Sequence, residues 1–519
     1  MKQFIQGRGR PLSEAGSPHT VTKGGTTMKH PRTNHTGISR FGSLGTAFIA
    51  PRTLWKALLA LLALGLSTLG LGPARLSAQD FGFGPADATE ASQAASGSAV
   101  GAAGTGPALT ISGTATIQGN LFVGEPEALW DQSLGDLVYP KLTLEGRGSK
   151  VETYLAFNLR PSYLETASSR ILDEAWVRLF AGPLTLDGGF MKVTWGKADS
   201  QGPLDVLNPL DYTDFTVTDS KERKIAQPMI RLSWNIGDFT KLEGIGVIGF
   251  QGNQYDLSGR WQPDQLGSLV AISTQNSQTA EQILNILSIL SAALQADRSL
   301  DHSQGGLRFT TTTGSVDWGI QYFYGYLPNP AAKIVLAGTF PTLYPVLQSL
   351  AYNRYHQAGL DAATVFAGFN LRFEGAANIT EDTSGNDPTV YNPHLAFSLG
   401  FDRDVVAGIN LNVQYNGTYR LMDDKVGPKP IDIEAGTKAF TDRLTTRLSQ
   451  SLFQDTLKWE CTILWGIQDK DYLIIPKISW AIGDGEIFAQ GGIFGGDSAG
   501  LVGQYDKNDY ITLGMKYTF

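Results

Sequence analysis

From Leu109 onward the chain repeatedly places an apolar side chain at every second position over stretches of about ten residues. Leu411, Val413, Tyr415, Gly417, Tyr419 and Leu421 interleave with Asn410, Asn412, Gln414, Asn416, Thr418 and Arg420. Val151, Thr153, Leu155, Phe157 and Leu159 alternate with Glu152, Tyr154, Asn158 and Arg160, and Phe369, Leu371 and Phe373 with Asn370, Arg372 and Glu374. A period of two over such a length is a strand with two unlike faces. Strands of soluble proteins usually stop at about five or six residues, whereas about nine to eleven tilted residues cross a bilayer. The pattern therefore favours an all-β, transmembrane antiparallel β-barrel over a soluble sandwich or solenoid.

Eighteen such segments are predicted between 109 and 519, with sixteen as the other possible count, and with short helical insertions in the extracellular loops. Even-to-odd connections carry turn residues, as at Gly182-Pro183, Gly237-Asp238, Gly314 and Gly483-Asp484. Odd-to-even connections are long, notably 195–227, 251–303, 327–353 and 422–442, with a tight exception at Asp469-Lys470. A membrane barrel puts short turns at the periplasmic end and long loops outside. One boundary is expected between segments 391–402 and 405–421. Aromatics near segment ends (Trp195, Tyr322, Tyr324, Tyr326, Trp459, Trp465, Tyr472, Trp480) fit interfacial girdles.

The N-terminal region has a different character. Basic residues dominate up to Lys56, an apolar run ALLALLALGLSTLGLG follows from Ala57, and PARLSA leads to Gln79. This is the pattern of a cleaved secretory signal peptide, so 1–78 is read as leader, with translation starting at Met1, Met28 or later. Residues 79–107, rich in Gly, Ala and Ser, read as a flexible periplasmic tether, and 108–519 as the barrel. Removing 1–78 takes away ten basic residues and one acid, which moves the net charge from −8 to −17. Such a chain is a poor non-specific nucleic-acid binder, because that binding needs cations against phosphates. The single cysteine excludes a disulfide framework. Cys461 is expected to face lipid among Trp459, Ile463 and Trp465.

If the apolar faces meet lipid, the opposite faces line a lumen. Candidate lining residues are Arg160, Glu174, Arg178, Arg231, Arg308, Asp317, Arg372, Glu374, Arg420, Arg443, Arg447, Lys458 and Glu460, with Glu145, Glu152, Asp361, Lys141 and Lys477 beside them. Opposed charges across a wet constriction orient solutes and set ion preference; individually they also serve as ion pairs bracing the wall. The surplus of Arg and Lys points to a mild anion preference. Two outer loops are apolar: 278–296 places Ile283, Leu287, Leu290 and Leu294 at helical spacing, and 331–352 carries Ile334, Val335, Leu336, Leu343, Val346, Leu347 and Leu350. Runs of this kind pack on something, as a lid, an inward plug, or an entrance for an apolar substrate.

Residues 171–215 contain Gly188-Gly189-Phe190, Trp195-Gly196-Lys197-Ala198-Asp199, Asp205, Asn208-Pro209 and Asp211. This stretch resembles a porin-like family of bacterial outer-membrane barrels, known largely as a domain of unknown function, in which a strand ends in Gly-x-x-x-x-Trp-Gly before a loop bearing Asn-Pro-x-Asp. The resemblance implies a barrel of this size and, through relatives proposed to work beside lipid-exporting pumps, keeps lipid transport in view. Physically, Trp195 suits the outer interface, and a loop with Asp199, Asp205, Asn208, Asp211 and Asp214 suits a constriction folded back by Asx turns. Its acids match no specific calcium loop. The chain ends on Met515, Tyr517 and Phe519 at alternate positions, which resembles the signature that barrel-assembly machinery reads.

The mature chain has three histidines, His302, His356 and His394, and no motif that assembles a nucleophile with a base. No enzyme activity, cofactor or metal is expected. The function expected is passive diffusion of small hydrophilic solutes across the outer membrane of a Gram-negative-type envelope. Two alternatives are a loop-gated transporter of lipids or other hydrophobic substrates and a closed structural or adhesive barrel. Outer-membrane lipids and small solutes are the expected partners, and the oligomeric state is left open.

Overall fold

A computed structural model describes residues 108–125, 132, 137–166, 170–257, 259–268, 288–289, 292, 295–339 and 342–519. The leader, the tether and the helical-spacing residues Ile283, Leu287, Leu290 and Leu294 lie outside the described residues. The chain opens with β1 (Ala108–Phe122), β2 (Val138–Arg147), β3 (Val151–Asn158), the short helix α1 (Pro161–Thr166), β4 (Leu172–Ala181) and β5 (Leu184–Met191). A two-residue β6 (Asp211–Tyr212) and the helical turn α2 (Ser220–Arg223) precede β7 (Gln227–Ile236) and β8 (Thr240–Val247). The two-residue β9 (Gln254–Tyr255) precedes β10 (Gln304–Thr313) and β11 (Val316–Tyr326), and β12 (Ala331–Thr339) with β13 (Thr342–Ala351) forms a separate hairpin. The remainder is β14 (Arg354–Phe366), β15 (Phe369–Thr380), β16 (His394–Val406), β17 (Ile409–Arg420), β18 (Phe440–Leu452), β19 (Leu457–Gly466), β20 (Asp471–Ile482), β21 (Gly485–Gly496) and β22 (Tyr510–Thr518).

Eighteen of these strands pair antiparallel with their sequence neighbours, and β22 pairs back onto β1 from Thr114–Thr518 to Phe122–Tyr510, so the sheet closes with no free edge. The last residue takes part in closure: Gly113 N donates to Phe519 O at 2.9 Å. The barrel is inside out. Leu109, Leu155, Val177, Ile230, Ile320, Leu360, Leu399 and Leu513 are exposed on its outer face, while Asp187, Arg231, Gln321, Asp361, Glu374 and Gln414 are buried within. Only hydrocarbon outside and polar contacts inside make that arrangement favourable, and closure removes the unpaired backbone groups that lipid would penalise. No helix among the described residues is long and apolar enough to cross a membrane; the strands do the crossing.

At one end of the cylinder every connection is short, and Gly182, Gly237, Gly314 and Gly483 adopt the positive φ that such turns demand. At the other end the connections are long, except between β19 and β20. The boundary expected at 403–404 is corrected: β16 continues to Val406, and the turn is Ala407-Gly408, both at positive φ. The charged run stays in the ladder because Asp402 meets Arg372 at 2.5 Å and Arg403 lies 4.5 Å over the Phe369 ring. The apolar 331–352 loop is the β12–β13 hairpin, whose Ile334 and Leu347 pack on Leu266 and partly on Tyr255, Leu257 and Ile289.

Candidate functional site

The connection from β5 to β7, residues 192–226, turns into the barrel and contacts both sides of the lumen. Trp195 starts the crossing. It is corrected from the expected interface to the interior: it is 3% exposed, its indole N–H donates to Glu243 Oε1 at 2.6 Å, and its ring edge lies over Gly306 where a Cβ would not fit. Met191, Val193, Leu207, Met229, Ile245, Val247, Phe323 and Tyr355 complete an apolar group around it.

Beyond Trp195 the chain docks on the wall formed by β11 and β14–β17. The Glu374 carboxylate, itself buried, accepts backbone N–H from Lys197, from Ala198 at 2.7 Å and from Leu204 at 3.3 Å. Gly196, at φ +100°, and Gly202 press against this carboxylate; a Cβ on either would stand 2.2 Å from an oxygen. Asp199 meets Arg372 at 2.6 Å and accepts from Asn412 Nδ2 at 2.9 Å, and Ser200 N donates to Gln414 Oε1 at 2.9 Å. Gln357 and Gln321 donate to the carbonyls of Pro203 and Leu204, each at 3.0 Å. The Leu204 side chain, 0% exposed, fills the hollow over Gly359. Burial pushes the Asp199 carboxyl up against the pull of Arg372, and pushes Asp205 up against that of Lys224, which lies 2.8 Å away.

The return path is stitched by its own side chains. Asn208 Oδ1 accepts from Val193 N at 2.7 Å, while Nδ2 donates to Met191 O at 2.9 Å and Ile225 O at 3.0 Å, tying the loop's exit to its entry. Asp211 pairs with Arg170, and Asp211, Asp214 and Asp219 accept from the N–H two residues on, the Asx turns their composition suggests. Phe215 then enters an aromatic group on the β20–β22 side with Phe122, Trp261, Phe494, Tyr505 and Tyr510. Gln490 Nε2 donates to Thr216 O at 3.0 Å, and Lys141 of β2 pairs with Glu222. Loop anchors thus come from nearly opposite sides of the ring.

The predicted lining residues all lie on the lumen side or its rim. Most arginines have carboxylate partners: Arg178 and Arg231 with Asp187, Arg308 with Asp361 at 2.7 Å, Arg443 with Asp471 at 3.4 Å, Arg447 with Glu460 at 2.9 Å. Arg420 bridges to Asp423 and Glu434 and so holds the 421–439 loop. Arg160 stacks over Tyr139 at 3.8 Å, Glu174 accepts from Lys192 N at 2.7 Å, and Asp317 accepts from Thr312 Oγ1. Lys458 lies opposite Ser451 and Ser479. Asp199 Oδ1, Arg443 Nη1 and Thr462 Oγ1 are buried without a protein partner. Buried polar atoms of this kind are normally met by water. Cys461 alternates with lumen-facing Thr462 and so shares the outer face. Sequence reading missed Glu374, Gln321, Gln357 and Gln414 as loop anchors, because their partners lie 117 to 214 residues away.

One arrangement invites a catalytic reading and fails it. Ser299 Oγ lies 2.8 Å and Asp297 Oδ2 3.0 Å from the same His302 Nδ1. A relay needs the hydroxyl and the carboxylate on different ring nitrogens.

A family model described as "Protein of unknown function (DUF1302)" matches residues 171–422. No curated protein matches the chain. Among solved structures, the chain is similar to Pseudomonas aeruginosa OccK10 (OpdN) at 8% identity and a TM-score of 0.44, over 80% of this chain and 99% of that one. It is similar to Wzi, a carbohydrate-binding barrel involved in group 1 capsule assembly in Escherichia coli, at 11% identity and 0.41, over 79% and 84%. OmpT of Vibrio cholerae gives 10% and 0.37, over 80% and 98%.

Proposed function

We propose that the chain is a porin-like channel of a bacterial outer membrane, through which small hydrophilic solutes diffuse passively beside the 192–226 loop. The observation that carries this reading is the loop itself, pinned by Glu374 against one wall of a lumen lined by charged and polar side chains. An eighteen-strand cylinder is wide enough for water, and an inserted loop narrows it to a solute filter. Since most lining arginines face a carboxylate, ion preference is slight rather than markedly anionic. The terminal Met515, Tyr517 and Phe519 serve as the assembly signal, and the leader delivers the chain to the envelope.

Planar-bilayer recording tests the reading. The wild type should give ohmic steps, and Glu374→Ala, which strands three N–H donors at roughly 1–3 kcal/mol each, should give steps at least twofold larger. A purified, folded protein that never conducts would refute the channel. The aromatic group around Trp261 and Phe494 favours a second reading, passage of lipids or other apolar substrates, since it puts a large apolar cluster on the inner side of the wall.

A further inference from the structure

The hydrogen-bond ladder of one pair of strands is interrupted partway along, although the strands stay side by side. β20 and β21 are paired from Asp471–Gly496 to Ile474–Ile493 and again from Lys477–Gln490 to Ile482–Gly485. The register is the same on both sides, yet the two rungs between, Ile475 with Gly492 and Pro476 with Gly491, are missing. On their other edges both strands pair through these positions without interruption, β20 to β19 and β21 to β22. The cause is in the sequence: Pro476 has no N–H to donate, and proline is normally kept out of paired strand interiors for that reason. Other irregularities of the barrel ladders fall near strand ends, at 156–157 and 404–406. An incomplete ladder at membrane depth is costly, so its presence there points to use.

What flanks the break is apolar on both sides. Pro476 is on the lipid face with its ring against Gly491. On the lumen side Ile475 packs on the group of Leu473, Phe494, Tyr510, Phe215 and Trp261, and the Tyr510 ring lies where a Gly492 Cβ would be, covering the gap. Tyr510 is held by Gln490 Nε2 at 3.2 Å, which also donates to Thr216 O of the inserted loop. The cover is therefore linked to the loop.

We propose that the β20–β21 seam is a lateral portal, through which the acyl chain of a lipid slips between the membrane hydrocarbon and the aromatic group inside the barrel, with Tyr510 as its shutter. The proposal rests on the second reading above, lipid passage, and not on the conductance of the pore.

The test places the photo-crosslinker p-benzoylphenylalanine at Ile475, in a Cys461→Ala background, in vesicles of radiolabelled phosphatidylethanolamine and phosphatidylglycerol. Ile474→Cys with Ile493→Cys, directly opposed across the seam just beyond the gap, lets a disulfide lock it. Under reducing conditions illumination should attach labelled lipid at 475; oxidation should cut capture at least fivefold, and Tyr510→Ala should raise it. Pro476→Val, which restores the donor without a disulfide, should lower capture as well, with potassium chloride conductance unchanged in this variant and in the locked form. Equal capture with the seam locked and unlocked overturns the portal while leaving lipid passage by another route. Absence of capture in all forms overturns both.

Discussion

The loop that shapes the lumen is held by single atoms, and its key contact is Glu374 against Gly196. Sequence reading singled out the Trp195-Gly196 pair but not what Gly196 does: its φ of +100° and bare Cα let Lys197 and Ala198 point their N–H groups at one carboxylate. An alanine there meets strain of about 1–2 kcal/mol from its backbone and a 2.2 Å clash with Glu374. Gly196→Ala should therefore free the loop while the barrel survives, seen as trypsin cleavage at Lys197 in a folded protein that the wild type resists. Trp195 was misread for a related reason, since Glu243, 48 residues on, is what makes the interior acceptable to an indole N–H. The loop's far anchor responds to acid. Burial acts against the ionised Glu222, but Lys141 beside it prevails and holds its carboxyl below the ordinary carboxylate value. A depressed folded-state value contributes stability above the unfolded value and loses it as pH falls through the folded one. The difference between wild type and Glu222→Gln in amide protection of 218–224 should thus be constant from pH 7 to about 5 and vanish only well into the acid range. It should be modest, because Glu222 is 48% exposed. Asp199 and Asp205, pushed the other way, cancel in that difference.

At the scale of the element, strands were legible because lipid allows little else: a spanning segment must keep one face apolar, and β15 and most of β19 alternate to do so. Turns were less legible where their chemistry is atypical. Gly182-Pro183 and Gly483-Asp484 announce themselves, whereas Ala407-Gly408, like Ala367-Gly368, puts an alanine at positive φ, at 54° and 51°, which composition does not announce. The boundary expected at 403–404 misses the true turn, since Asp402 and Arg403 find partners on β15 that alternation alone cannot supply. The alanines carry a removable cost. Left-handed backbone penalises a Cβ by roughly 1–2 kcal/mol, and glycine returns part of that through unfolded-chain entropy. Ala367→Gly and Ala407→Gly should each stabilise the barrel by about 0.5–1 kcal/mol, read from the urea midpoint of refolding into lipid vesicles. A loss of stability at both sites would mean the turns are not as described.

For the whole molecule, closure was legible and the interior was not. Counting alternating segments and the parity of their connections leads to a sealed eighteen-strand cylinder, because an even number of crossings leaves the last strand antiparallel to the first and able to pair with it, as β22 does with β1. Nothing in that count says that the 192–226 loop reaches the β14–β17 wall, since its partners Arg372, Glu374, Asn412 and Gln414 are far off in sequence and carry no periodic signal toward it. The claim on which the rest stands is that solvent and hydrocarbon have exchanged places relative to a soluble protein, and one pair of substitutions separates the cases. Leu360 lies midway along β14 on the outer face, 50% exposed and opposite Ile320. In water an arginine there would be nearly neutral, but near a bilayer midplane it costs roughly 2–4 kcal/mol. Ser449 of β18 faces inward between Asn410 and Glu460, where an added guanidinium meets a carboxylate and water. Leu360→Arg should lower folding stability in vesicles by that amount while Ser449→Arg stays within about 0.5 kcal/mol of wild type, the usual range for a solvated position. Equal tolerance at the two sites would place water on both faces of the wall, and a sheet wet on both sides gives the outer belt of leucine, isoleucine and valine no reason to exist.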